Sequence, residues 1–300
     1  MRKTIAILLW SGAAIAQTGA GLQSRLEKMA AAHHGKVALF AENLKTGDRV
    51  ALDADHLVPT ASTIKLAVFI ETFHQIKDGQ LNLADKIIFT SPDKVPGSGV
   101  LQALRVPMEL SLENAIVLMM IESDNTATNL MIDRVGLAKV NARLAVLGLK
   151  DTYLYKKVYR PAEGPVPADQ KTYGLGKTTP REMAKLMSGI ERCELGAPEL
   201  CKKMIEIMKG QQYRNMIPHY IEADLDASEG GTAIADKFGA LDESRSDVGI
   251  VYTKNGPILI SAYTFENRDQ SWAAENEGEQ LIAHMAKAIV DAWAPADKKK

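Results

Sequence analysis

Three short clusters in this 300-residue chain combine residue types that make a hydroxyl reactive. Ser62-Thr63-Ile64-Lys65 places an amine three residues after a serine. That spacing brings two side chains onto one helix face, so Lys65 can reach the Ser62 hydroxyl. A serine is a poor nucleophile until a base takes its proton. Lys65 can be that base only when neutral, and burial beside other cations favours the neutral amine. If Ser62 opens a helix, free backbone N–H groups there can hold a developing oxyanion. Ser123-Asp124-Asn125 supplies a second hydroxyl with an amide beside it. Alone, that triplet is equally a helix cap, since all three residue types favour the role. Lys237-Phe238-Gly239 adds another cation at the end of an apolar segment. Together the clusters suit acyl transfer through a covalent ester on Ser62.

These side chains need a scaffold, and the periodicity supplies one. Apolar residues Leu66, Phe69, Ile70 and Phe73 recur at helical spacing behind Ser62, and Leu112, Ile116, Met119 and Met120 form another such face. Thr179-Pro180-Arg181-Glu182 reads as a helix start: Thr179 can cap, Pro180 suits the first turn and Glu182 can close a capping box. Residues 24–32 read as a helix, and Leu281, Ile282, Met285, Ile289 and Trp293 form the stripe of a last one. Strands are expected over 36–43 and 48–54, around a turn at Gly47, and over 232–238, 247–253 and 257–265, with a tight hairpin at Asn255-Gly256. Strands at both ends with helices between predict an α+β fold. Its antiparallel sheet is built from both termini and flanked by the terminal helices, with a helical lobe inserted.

The three clusters, in this order, resemble the motif set of class A serine β-lactamases and penicillin-binding D,D-peptidases. The resemblance runs from about Lys36 to Trp293 and includes Gly97-Ser98-Gly99, Thr178-Thr179-Pro180 and Ala235-Asp236-Lys237. It implies a discontinuous sheet domain over 17–57 and 211–297, an all-helical domain over 58–210, and an active site in the cleft between them. It implies Ser62 as nucleophile, Lys65 as base, and Ser123 as proton relay to the leaving nitrogen. Asn125 would bind the substrate amide, Lys237 and Gly239 would line the opposite wall, and the N–H groups of Ser62 and Ala240 would form the oxyanion hole. Asp124 would brace its loop. Gly97-Ser98-Gly99 would be cleft rim.

The chain departs from the family pattern at two places. Phe238 stands where the family usually has Thr or Ser, whose hydroxyl binds the substrate carboxylate; Arg245 resembles a carboxylate-anchoring arginine and could compensate, or could be a solvated Arg. The loop 155–177 holds a single glutamate, Glu163, at the family's distance from Thr179-Pro180. Glu163 is the candidate deacylating base or a plain surface residue, because the surrounding Glu-x-x-Leu-Asn signature is missing and Pro167 falls where Asn is expected. The resemblance therefore implies β-lactam hydrolysis, with a D,D-peptidase, an esterase or a non-catalytic binding homologue as alternatives. The implied partner is a β-lactam or a cell-wall peptide.

Composition is consistent with this reading. A net charge of −1 gives no footprint for nucleic acid, and 46% hydrophobic residues support a real core. The six histidines show no metal-ligand spacing, and Gly176-Lys177-Thr178 lacks the leading glycine of a phosphate loop, since position 171 is Lys171. Neither metal nor cofactor is expected. Arg2 and Lys3, the apolar stretch 4–13 and Ala14-Ile15-Ala16 read as a secretory leader over 1–16, with an uncleaved anchor as its rival. That predicts a periplasmic or secreted protein without a lasting membrane anchor. Cys193 and Cys201 can bridge a short loop in an oxidising compartment or remain two buried thiols.

Overall fold

The computed structural model describes residues 11–221 and 232–295, with side chains from residue 21 onward. The expected leader therefore lies mostly outside the described residues. Helices are α1 (Ser11–Ala31), α2 (Lys65–Lys77), α3 (Leu112–Ile121), α4 (Asn125–Val135), α5 (Leu137–Val146), α6 (Gln170–Tyr173), α7 (Pro180–Glu191), α8 (Pro198–Lys209) and α9 (Glu277–Trp293). The main strands are β1 (Lys36–Asn43), β2 (Arg49–Leu52), β8 (Ala233–Leu241), β9 (Ser244–Thr253) and β10 (Gly256–Phe265). Five short ones lie between them: β3 (Val58–Pro59), β4 (Lys86–Phe89), β5 (Met108–Ser111), β6 (Tyr153–Leu154) and β7 (Gly176–Thr178).

The main sheet is antiparallel, in the order β2-β1-β10-β9-β8. The chain thus builds its sheet from both ends, as the strand pattern predicts. Helices α1 and α9 cover one face, where Leu26, Leu39, Ile260, Ile282, Met285 and Ile289 are buried together. The other face joins the helical core continuously, through Ala38, Phe40, Val248, Ile250 and Tyr263. Edge strand β8 carries the Lys237 cluster against the start of α2, so an edge that would otherwise stay unpaired forms a cleft wall.

Local chemistry accounts for the element ends. Ser111 caps α3 by accepting from Asn114 N, and Thr179 caps α7 by accepting from Glu182 N, with Pro180 in the first turn. The expected capping box is not closed by Glu182: its carboxylate instead accepts from Lys150 N, Asp151 N and the Thr152 hydroxyl. The two-residue hairpin turn is Lys254-Asn255, one position earlier than expected, because Thr253 pairs with Gly256 across the ladder. Nor is the stretch 58–210 purely helical. It holds a β4–β5 hairpin and a three-stranded β3-β7-β6 sheet, too short to show a period of two in the sequence. Cys193 and Cys201 form a disulfide across the turn between α7 and α8. No helix among the described residues is long and apolar enough to cross a membrane.

Candidate functional site

Ser62 does not open the long helix as expected. It lies in a one-turn 3₁₀ helix, Ala61–Ile64, and Lys65 is the first residue of α2. With three residues per turn, a 3₁₀ segment eclipses positions i and i+3, so it still stacks Ser62 and Lys65 on one side. Ala61 has φ 45°, a left-handed conformation unusual for a residue with a Cβ. The surroundings hold it there: Thr60 N donates to Gly176 O, and Thr63 Oγ1 donates to Thr60 O and lies 3.1 Å from the Tyr263 hydroxyl.

Lys65 is fully buried. Its Nζ donates to Ser123 O at 2.6 Å, Ser123 Oγ at 3.0 Å and Asn125 Oδ1 at 3.0 Å. Burial holds the amine well below the ordinary lysine range, and the charge of Lys237 lowers it further while Asp124 opposes. The amine thus faces two carbonyl oxygens and the Ser123 hydroxyl, the group with which it can exchange a proton. The three hydrogen bonds of Nζ all lead to the loop before α4, so Ser123 stands next to the base that the sequence assigns to Ser62.

That loop is rigidly braced. Asp124 caps α4 by accepting from Ala127 N, and its other oxygen accepts from Leu101 N at 2.8 Å. Ser98 Oγ donates to Ser123 O, and Asn125 Nδ2 donates to Pro96 O. Gly99 has φ +98°, and a Cβ there would lie 2.2 Å from Asp124 Cγ. Only glycine allows this close approach. Asp124 therefore braces its loop and is not among the residues that line the cleft.

Lys237 stands fully buried on β8. Burial pushes its amine down to about 7, against the pull of Asp236 and Asp247. Those two carboxyl groups are themselves buried and raised, chiefly by burial and, for Asp236, also by repulsion from Asp247. Neither Asp236 oxygen has a conventional partner, which fits a proton held between the pair. Gly239 lets β8 close on the serine: a Cβ there would lie 2.9 Å from Ser62 N and 2.8 Å from Ser246 Oγ. Ala240 follows on the same strand and lines the cleft.

Phe238 also lines the cleft. Its ring stacks on Tyr213 at 4.2 Å, and the Lys237 ammonium sits 4.2 Å from its centroid while donating to its carbonyl. A cation–π contact thus covers the charge that a family threonine would leave open. Arg245 does not compensate. It is wholly buried, bonded to Glu279 at 3.1 Å, and donates to the carbonyls of Leu241, Ser244 and Ser271. It is neither a substrate anchor nor a solvated arginine; it ties down the loop that carries Trp272, lying 4.8 Å from that ring.

Glu163 is not brought to the cleft. Its side chain is 79% exposed and pairs with Lys157 at 3.3 Å, outside the lining of the serine's cavity. The loop instead presents Val158, whose backbone is clamped from both sides by the Asn129 amide: Asn129 Nδ2 donates to Val158 O, and Val158 N donates to Asn129 Oδ1. The cleft is about 600 Å³ and is also lined by Lys156, Tyr159, Leu175, Leu241 and Trp272. No aspartate or glutamate lines it among the described residues. Sequence reasoning missed Asn129, Val158 and Trp272. Asn129 was accessible, lying one helical turn after Asn125, whereas the loop path and the Trp272 position depend on distant partners.

A family model described as a beta-lactamase enzyme family matches residues 21–293. The beta-lactamase regulatory protein BlaB of Streptomyces cacaoi is 22% identical, with 87% of this chain and 94% of that protein covered. The beta-lactamase CARB-3 of Pseudomonas aeruginosa is 26% identical, with 83% of each covered. Among solved structures, a beta-lactamase from Sphaerobacter thermophilus aligns with TM-score 0.79 at 28% identity, covering 94% of this chain and 99% of that one. A PBP-A variant, in acyl-enzyme complex with penicillin G, shares the fold with TM-score 0.78 at 23% identity, covering 92% and 97%.

Proposed function

The chain belongs to the beta-lactamase enzyme family, and on that premise we propose that it is an exported serine hydrolase whose acyl-enzyme forms faster than it is hydrolysed. Ser62 Oγ attacks the β-lactam carbonyl and passes its proton to Lys65. The N–H groups of Ser62 and Ala240 receive the oxyanion. The carbon–nitrogen bond breaks, and the nitrogen takes its proton from Ser123, which Lys65 reprotonates. The product is an ester on Ser62, and a water molecule then releases the ring-opened acid.

The observation that carries this reading is the buried Lys65 amine, held below its ordinary range and bonded to Ser123 and Asn125. Slow hydrolysis follows from the other wall, where Val158 lines the cleft and Glu163 faces solvent. A general base is worth about 10²–10⁴-fold in rate, so its absence would set deacylation as the slow step. The similarity to a beta-lactamase regulatory protein fits a role that does not need fast turnover. Export rests on the leader-like residues 1–16.

Stopped-flow mixing with a chromogenic cephalosporin tests this. A burst of one equivalent per protein, followed by a much slower steady state, is expected. Linear product release with no burst would overturn the assigned slow step.

A further inference from the structure

Three cations close to Val158 on the loop are engaged. Lys157 pairs with Asp133 and Glu163, Lys177 with Asp169, and Arg160 donates to Pro92 O and Lys94 O. Lys156 differs. It is half-buried and lines the cleft, yet no hydrogen bond or ion pair holds its ammonium among the described residues. A half-buried cation without a carboxylate on any lining residue leaves a local positive potential in the cleft. Val158, Gly174, Leu175, Ala240 and Leu241 line the same cleft. That lining is apolar, so it does not screen the charge as water would.

The direction of a bound substrate follows from the site. The leaving nitrogen must lie by Ser123, which protonates it. An acyl chain running away from Ser123, between β8 and the loop, enters the part of the cleft that Lys156 and Val158 line from the loop. We propose that Lys156 selects acyl donors whose side chain ends in a carboxylate, as in an amide of a dicarboxylic acid or an acidic amino acid. This rests on the acyl-enzyme reading above and assigns the substrate class for the same site. Val158, Leu175 and Leu241 accept the methylene chain, and the lysine pairs with its terminal anion. Tyr159 and Trp272, both exposed, also line this cleft of about 600 Å³.

Two probes decide it: a cephalosporin carrying a glutaryl side chain, and the same compound with the terminal carboxylate as its methyl ester. Second-order acylation rate constants are read by intact-protein mass spectrometry. The expected preference for the carboxylate is about tenfold, the size of a partly desolvated ion pair, and it shrinks in 1 M salt. Lys156→Met brings the ratio near one, and Lys156→Glu inverts it. An unchanged ratio in Lys156→Met, with both probes still forming adducts, overturns the Lys156 assignment alone. Absence of an adduct with either probe overturns the acyl-enzyme reading and this inference with it.

Discussion

The two walls of the cleft are built to different standards. On the serine wall the groups around Ser62 are buried and bonded: Lys65 to Ser123 and Asn125, Asp124 to two backbone donors, and β8 pressed onto Ser62 through Gly239. On the loop wall Glu163 points to solvent, Lys156 has no partner among the described residues and Val158 lines the cavity. Preorganised polar groups stabilise a transition state only where their positions are fixed beforehand. On the proposed reading, the contrast matches a finished apparatus for acylation and none for hydrolysis.

The largest break in this contrast is Lys65→Ala. It removes the base and takes one donor each from Ser123 O and Asn125 Oδ1, leaving them the Ser98 hydroxyl. Acylation by benzylpenicillin should fall about 10³-fold. Retained acylation would move the base elsewhere, and a thermal melt of the variant separates this loss from unfolding.

Val158→Glu comes next, because it would give the loop wall what it lacks. The Asn129 clamp fixes the backbone at this position, so a new carboxylate is held at the cleft. Deacylation should accelerate about 10²-fold, measured by adduct clearance after excess penicillin is removed. No acceleration would mean that water, not a base, is missing.

A pH profile sharpens the serine wall. Lys65 must be neutral, so acylation rises with pH through its lowered value. Lys237 must be charged to attract a substrate carboxylate, and its cation fades above about 7. Acylation per unit concentration should therefore decline by about fifty-fold between pH 7 and 9, as the charged fraction of Lys237 falls from about one half to about one hundredth. A flat profile over that range would remove Lys237 from carboxylate binding.

The smallest effect is expected at Glu163→Gln. Turnover should stay within about twofold, since an exposed ion pair with Lys157 is worth little. An accumulating acyl-enzyme in this variant alone would restore Glu163 as the base.

The sequence shows the serine wall well because its parts are local. Ser62 and Lys65 share one turn, Ser123 to Asn125 are consecutive, and Lys237 precedes its glycine by two. The strand pattern likewise reveals a sheet drawn from both ends. What it hides is set by long-range partners. Arg245 meets Glu279 across 34 residues, Phe238 meets Tyr213, and Val158 is placed by Asn129. Counting back from Thr179-Pro180 put Glu163 in the base's place, but the path of a loop depends on its anchors, not its length.

The most direct test is intact-protein mass spectrometry of the wild-type chain and Ser62→Ala, sampled from milliseconds to hours after mixing with benzylpenicillin. The account predicts one penicillin mass added quickly to the wild type, persisting long after free drug is removed, and nothing added to Ser62→Ala. Rapid ring-opening with no accumulating adduct, or an adduct that survives in Ser62→Ala, would contradict it.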